Sequence, residues 1–115
     1  MEKIQYTELK ECRAGFGEGL LEAGKQNEDI VALCADLTAS VKMDAFAKAF
    51  PERFFQIGIA EANMIGMAAG FALSGKIPFV GSFANFCTTR VLDQIRMVVA
   101  YSNNNVKICG SHAGV

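Results

Sequence analysis

The sequence reads FFQIGIAEANMIGMAAGFALS from Phe54 to Ser74. Its first four residues are a short, mostly apolar run of the kind that forms a strand, while the part from Glu61 onward is apolar almost all round and rich in alanine and glycine. This pattern predicts a strand over residues 54–57 and a buried helix over residues 61–74, which Gly75 ends. A strand that leads into a buried helix is the repeating unit of an α/β fold.

Helices and strands alternate in the same way on both sides of this stretch. Periodicity and breakers such as Pro51 predict helices over residues 8–24, 43–50 and 85–101, and strands over residues 29–35, 77–81 and 106–110. This order predicts parallel strands joined by right-handed crossovers. We therefore expect an α/β fold with three αβα layers and a mostly parallel sheet.

The first predicted helix is amphipathic and unusually rich in glycine. Thr7 is available as its N-cap, and apolar residues recur three or four apart along one face, at Leu9, Cys12, Phe16 and Leu20. Gly15, Gly17 and Gly19 would each cost about 1 kcal/mol relative to alanine in an exposed helix. They therefore predict close backbone packing or a bend.

Length, composition and charge limit the class of protein. The chain has 115 residues, of which 51% are hydrophobic and 20% charged, which fits one globular domain over residues 1–115. A net charge of −1 offers no basic surface to nucleic acid or to an anionic membrane, so we expect neither as a partner. Residues 1–5 lack the apolar segment of a signal peptide, and no apolar run reaches the roughly 18 residues of a membrane span. We expect a soluble cytoplasmic protein.

The four cysteines form no C-x-x-C pair and lie far apart, at Cys12, Cys34, Cys87 and Cys109. Three of them lie in apolar stretches, where a reduced thiol packs as a small hydrophobic group. We predict that the cysteines are reduced and buried, with disulfides or a metal site as the alternative.

Ligands of an open parallel sheet bind where loops leave the carboxyl ends of the strands. Four segments emerge at that edge, namely residues 36–40, 58–61, 82–86 and 110–114. Together they carry a carboxylate beside a buried helix, two aromatic rings, hydroxyl groups and the only histidine of the sequence. Because the glycine spacing matches neither the P-loop nor the dinucleotide fingerprint, the pattern favours an aromatic cofactor over a phosphate loop.

Two of these segments resemble the transketolase family. GIAEANM, over residues 58–64, closely resembles the segment that presents the catalytic glutamate in transketolases and 1-deoxyxylulose-phosphate synthases. SFANF, over residues 82–86, resembles the segment that forms the aromatic pocket for the pyrimidine ring. The resemblance covers essentially the whole chain and implies the pyrimidine-binding domain of a thiamine-diphosphate-binding fold.

The resemblance implies a role for each candidate residue. Glu61 would be catalytic and would hydrogen-bond the N1′ atom of the aminopyrimidine, because a carboxyl group in a dry site can share a proton with a weakly basic nitrogen. Thr89 stands where the family often has a third aromatic residue. The implied cofactor-binding residues are Asp36, Leu37, Glu61, Phe83, Phe86 and Thr89. The implied sugar-phosphate-binding residues are Arg13, Ser40 and His112.

The resemblance also implies parts that this sequence lacks. In the family, the diphosphate and Mg²⁺ are held by a separate domain or subunit with a Gly-Asp-Gly signature, which does not occur here. We therefore expect a diphosphate-binding partner, a homo-oligomer, no metal site in this chain, and no activity of the chain alone. The implied reaction moves a two-carbon ketol unit between sugar phosphates. Because the sequence stops just after the last predicted strand, we expect the family pattern to continue past Val115.

Other interpretations stay open. A fragment of a 1-deoxyxylulose-5-phosphate synthase or of a keto-acid dehydrogenase β-subunit would keep the glutamate and the aromatic residues. A domain of another class would be a non-catalytic assembly domain that dimerises through the helix over residues 61–74. Each site residue also has an ordinary structural interpretation: a helix cap for Glu61, core packing for Phe83 and Phe86, a turn for Asp36, a solvated helix position for Arg13, and a strand end for His112.

Overall fold

The computed structural model describes residues 7–114, whose centre is a four-stranded sheet. The strands are β1 (Ile30–Cys34), β2 (Phe54–Gln56), β3 (Ile77–Phe83) and β4 (Lys107–Ser111). All are parallel, in the order β2-β1-β3-β4, which confirms the predicted α/β fold. Residues 1–6, in which we expected no signal peptide, and Val115, past which we expected the family pattern to continue, lie outside the described residues.

Strand β1 separates two apolar clusters, one on each face of the sheet. All five of its residues are buried, as expected of a central parallel strand. Val31 and Leu33 pack on the face that holds Met64 and Ile65, while Ala32 packs on the opposite face. The helices that cover the two faces are α1 (Cys12–Gln26), α2 (Asp44–Ala49) and α3 (Glu61–Leu73). The three predicted layers are confirmed.

The predicted helix over residues 85–101 is wrong in its first part. Strand β3 continues to Phe83, and the Ala84 N–H donates to the Ser111 carbonyl at 2.7 Å, so pairing with β4 prolongs the strand. The Phe83 carbonyl then accepts the Phe86 and Cys87 N–H groups at 2.9 and 3.1 Å. Helical structure follows as a 3₁₀ turn (Thr89–Val91), an α-helical turn α4 (Leu92–Gln94) and a π-helical stretch (Ile95–Tyr101).

Helix α1 begins at Cys12, four residues later than the sequence predicts. Glu11 takes the N-cap position without a side-chain hydrogen bond to the helix, so the prediction for Thr7 is wrong. Leu9 is 94% exposed. Leu9 therefore has no neighbouring layer to pack against, so an additional helical turn there would bury no further apolar surface.

Only one of the three glycines inside the first predicted helix allows a close approach. A Cβ atom at Gly17 would lie 2.3 Å from the Lys42 carbonyl oxygen, so the backbone of α1 packs directly against the loop before α2. A Cβ atom at Gly15 or Gly19 would meet no described atom within 4 Å. The prediction of close packing is confirmed for Gly17 alone.

Arg53 joins the end of α1 and the start of β1 to the segment before β2. Its guanidinium donates to the carbonyl oxygens of Gly24 at 2.9 Å, Asn27 at 3.1 Å and Ile30 at 3.4 Å. Its Cζ atom lies 3.8 Å from the ring centroid of Phe50. Because the carbonyls at a helix C-terminus carry partial negative charge, a cation is favoured there. This arginine therefore joins three segments through a side chain that is only 14% exposed.

The prediction of buried, reduced cysteines is wrong for Cys12, which is exposed. All four thiols are free, with Cys34 and Cys87 buried and Cys109 half-buried. Burial raises the pKa of the Cys34 and Cys87 thiols, and it raises the pKa of Cys109 to about 11. These three cysteines resist forming a reactive thiolate near neutral pH.

No helix among residues 7–114 combines the length and apolar character needed to cross a membrane. Within the same range, no three His, Cys, Asp or Glu side chains come together closely enough to hold a metal ion.

Candidate functional site

Glu61 is a buried carboxylate at the carboxyl edge of the sheet. It is the first residue of α3, it follows the loop after β2, and it is only 5% exposed. The N-terminal turn of a helix favours negative charge, but a carboxylate that leaves water also needs a partner. That partner is Arg90, whose Nη1 atom donates to Glu61 Oε1 at 3.3 Å.

Arg90 also covers an aromatic ring with the same guanidinium group. Its Cζ atom lies 3.8 Å from the ring centroid of Phe86, within the range of a cation–π contact. One planar cation thus touches both the buried carboxylate and the aromatic face. Arg90 was not predicted from the sequence, although an arginine four residues after Phe86 is a signal that could have singled it out.

The two predicted phenylalanines meet, and His112 meets one of them. The rings of Phe83 and Phe86 have centroids 5.9 Å apart, and those of Phe83 and His112 are 4.5 Å apart. His112 has a left-handed backbone with φ 56°, and its Nδ1 atom lies 2.7 Å from Ser111 Oγ. The ends of β3 and β4 therefore form a row of three rings.

Thr89 lies apart from this row. It is exposed at the start of the 3₁₀ turn, and it lines a cleft of about 500 Å³ together with Cys87, Leu92, Ile95 and Ile108. Neither phenylalanine is among the described residues that line this cleft. The sequence spacing aligned Thr89 with Phe86 on the assumption of a helix from residue 85, and the irregular turn removes that alignment.

Gln56 organises the loops after β1 and β2. Its Oε1 atom accepts the backbone N–H groups of Asp36 at 2.6 Å and Gly58 at 3.2 Å, and its Nε2 donates to Thr38 Oγ1 at 2.9 Å. Asp36 has φ 58°, a left-handed conformation that this bond helps to hold. Leu37 packs against the apolar cluster of α1 and α2. Gln56 was not predicted from the sequence, because a polar residue at the end of a strand carries no distinctive pattern.

Two of the three predicted sugar-phosphate residues line one cleft of about 580 Å³ at the same edge, and the third, Ser40, contacts one of them. Arg13 and His112 both line it, and Arg13 Nη1 donates to the Ser40 carbonyl at 3.2 Å. Arg13 Nε also donates to Glu11 Oε2 at 2.8 Å, and this arginine holds the pKa of the Glu11 carboxyl below its ordinary value. Ser40 contacts Arg13 through its backbone carbonyl.

The fold and this edge define an α/β ligand-binding domain with a carboxylate, aromatic rings and a guanidinium at the carboxyl ends of parallel strands. Residues 10–115 match the family model described as "Transketolase, pyrimidine binding domain". The chain therefore belongs to the family of transketolase pyrimidine-binding domains.

Relatives and solved structures agree with this assignment. The chain is 54% identical over 106 residues to a Methanocaldococcus jannaschii protein named as a transketolase C-terminal section, covering 92% of this chain and 34% of that protein. It is 46% identical over 104 residues to an apulose-4-phosphate transketolase subunit of Phocaeicola vulgatus, covering 90% and 33%. The chain spans about a third of the length of these curated relatives.

A solved structure described as "Split gene transketolase, inactive beta4 tetramer" superposes with a TM-score of 0.78 at 50% identity. The match covers 85% of this chain and 33% of that one. Together with the described sheet, this likeness confirms the transketolase-type fold that the sequence predicts.

Proposed function

We propose that this chain forms the pyrimidine-binding half of a thiamine-diphosphate site in a transketolase. The observation that carries the proposal is that the Glu61 carboxylate and the Phe86 ring both contact one planar N–H donor, the Arg90 guanidinium. An aminopyrimidine ring presents the same two features, a flat face and a nitrogen edge. The site residues therefore fit this cofactor, and membership of a pyrimidine-binding family supports the choice.

Bound thiamine diphosphate supplies nucleophilic carbon chemistry that moves a two-carbon ketol unit between sugar phosphates. Glu61 shares a proton with the N1′ nitrogen of the pyrimidine, since a carboxyl group sheltered from water does not lose that proton to solvent. Phe83 and Phe86 stack against the ring and exclude water from it. Asp36 and Leu37 border the cofactor from the loop after β1, whereas Thr89 lies in the separate cleft beside Leu92.

Arg13, Ser40 and His112 bind the sugar phosphate in the larger cleft. A guanidinium fork matches the oxygens of a phosphate group, so Arg13 exchanges its contact with Glu11 for the phosphate when the substrate binds. His112 lines the same cleft, and the backbone of Ser40 orients Arg13. The name of the Phocaeicola vulgatus relative, which refers to a phosphorylated sugar, supports a substrate of this class.

The chain works with a diphosphate-binding domain or subunit that holds the diphosphate and Mg²⁺, and without that partner it is inactive. Ile59, two residues before α3, and Leu73, the last residue of α3, are each 76% exposed, which leaves apolar surface for another chain to cover. The solved relative described as an inactive tetramer supports self-association of the unpartnered chain. A role as an assembly domain alone is the competing function.

The test is ketol transfer by the complete assembly with thiamine diphosphate and Mg²⁺. Glu61→Gln keeps the size of the side chain but removes its proton exchange, so we expect turnover to fall by about 10²-fold or more. Glu22→Gln makes the same change on the exposed side of α1 and should leave turnover unchanged. Equal turnover of wild type and Glu61→Gln would reject the role of Glu61, and an assembly without any transfer activity would favour the assembly function.

A further inference from the structure

We propose that Arg90 holds the place of the pyrimidine ring in the cofactor-free chain, and that it must leave before the ring binds. This inference rests on the proposed function, because it takes Glu61 and Phe86 as the groups that receive the ring. It assigns to Arg90 control over cofactor affinity.

The geometry of Arg90 carries the inference. Its Nη1 donates to Glu61 Oε1 at 3.3 Å, and its Cζ lies 3.8 Å from the centroid of the Phe86 ring. The guanidinium is planar, donates hydrogen bonds at its edge and stacks through its face. A pyrimidine bonded to Glu61 and stacked on Phe86 would need the same carboxylate oxygens and the same ring face. The two groups therefore compete for one position.

The Arg90 side chain is held loosely enough to leave. It is 49% exposed, whereas Glu61 is 5% exposed, so the arginine has open solvent on one side. Its distance of 3.3 Å to Glu61 is also longer than the 2.7–2.9 Å usual for a charge-assisted bond. The backbone anchor lies in the 3₁₀ turn, where the Arg90 N–H donates to the Asn85 carbonyl at 3.2 Å. Rotation of the side chain alone would expose Glu61 and Phe86.

The free chain nevertheless gains from this contact. A carboxylate as buried as Glu61 is costly without a cation or a donor beside it. Arg90 supplies that donor before the cofactor arrives, and afterwards Glu61 shares a proton with the ring nitrogen. The carboxylate thus has a hydrogen-bond partner in both states. The strength of the Arg90 contact sets the cofactor concentration that is needed to displace the arginine.

The test measures thiamine diphosphate binding by calorimetry in the assembly of the full chain with its diphosphate-binding partner and Mg²⁺. Arg90→Met keeps an unbranched apolar side chain but removes the charged, planar guanidinium group that competes with the cofactor. We therefore expect the Kd of thiamine diphosphate to fall by about tenfold, which is the scale of one half-exposed ion pair plus one cation–π contact. Arg96→Met makes the same change at an exposed position in the π-helical stretch and should leave Kd unchanged. A Kd for Arg90→Met that is equal to or weaker than wild type would overturn the inference.

A second measurement covers the case in which Arg90→Met folds poorly. In the wild-type assembly with ¹⁵N-labelled arginine, the Nε–H signal of Arg90 should shift on addition of thiamine diphosphate and its exchange with solvent should become faster. An unchanged signal would overturn the inference. If the wild type binds the cofactor and Glu61→Gln is inactive, either negative result rejects only the role of Arg90; absence of cofactor binding by the wild type would reject the proposed function as well.

Discussion

The imidazole of His112 lies against the ring of Phe83, with 4.5 Å between the ring centroids and an angle of 57° between the planes. Phe83 ends β3 and His112 follows β4, so the pairing of these two strands brings the rings together. His112 also lines the larger cleft with Arg13. Phe83 therefore belongs to the proposed pyrimidine pocket and also contacts His112, which lines the proposed sugar-phosphate cleft.

This position predicts different effects for the two phenylalanines in the complete assembly. Phe83→Leu should raise both the Kd of thiamine diphosphate and the KM of the sugar phosphate by about three- to tenfold, because it removes aromatic contacts on both sides. Phe86→Leu should raise only the Kd, since the described ring contacts of Phe86 are with Phe83 and Arg90. Calorimetry and steady-state kinetics give the two constants. An unchanged KM for Phe83→Leu would show that the two ends of the site are independent.

Gly17 and Gly15 should respond in opposite ways to the same substitution. Gly17→Ala forces a Cβ atom towards the Lys42 carbonyl oxygen, at 2.3 Å, so we expect a loss of about 1–3 kcal/mol in the free energy of unfolding. Gly15→Ala meets no described atom within 4 Å and should stabilise the helix by about 0.5–1 kcal/mol. Thermal unfolding should show Tm moving down for the first variant and up for the second. The same sign for both would contradict the packing of α1.

The hydrogen bonds of Gln56 predict that loss of its acceptor oxygen and loss of its donor nitrogen have different effects on hydrogen exchange at two backbone amides. Gln56→Leu removes the acceptor of the Asp36 and Gly58 N–H groups, so hydrogen exchange at both amides should become about tenfold faster. Gln56→Glu keeps the acceptor and loses only the donor to Thr38. It should therefore retain most of the protection. Equal exchange in the two variants would mean that Gln56 does not hold these loops.

The raised pKa of Cys109 predicts a loss of stability in alkaline solution. Burial moves this pKa from its ordinary value of 9.0 to about 11. Between these values the unfolded chain releases the thiol proton and the folded chain keeps it, so stability is complete below about pH 9 and falls as the pH rises towards 11. Urea unfolding at several pH values should show a shallower fall for Cys109→Ala than for wild type. Cys12→Ala, at an exposed position, should follow the wild type.

The order of elements was predictable because each one has a clear period or apolar run. The start of α3 at Glu61 was predicted to the residue, since an apolar helix that follows a short strand has few places to begin. The start of α1 was not, because periodicity at Leu9 does not reveal whether a neighbouring layer exists there. The turn after Phe83 was missed for a similar reason: pairing with β4 depends on a strand more than 20 residues away, and a local pattern contains no such information.

The proposed site was predictable in part. Sequence motifs singled out Glu61, Phe83 and Phe86, whose residue types suit the proposed chemistry, and their catalytic and binding roles stay predictions. Arg90 and Gln56 were missed because each acts through contacts between segments: Arg90 touches a residue 29 positions earlier, and Gln56 one 20 positions earlier. Contacts of this kind depend on how the strands are aligned in the sheet, so they cannot be identified from local sequence.

The three carbonyl groups that Arg53 contacts lie 29, 26 and 23 residues earlier in the chain. Arg53 precedes β3 and β4 in the chain, so its contacts with these carbonyls involve only residues 24–53. Loops of this length close at modest entropic cost, so the arginine can join the α1–β1 unit without waiting for β3 or β4. The N-terminal half of the domain therefore has a side-chain contact of its own, which joins α1 and β1 to the segment before β2 and needs no residue from the C-terminal half.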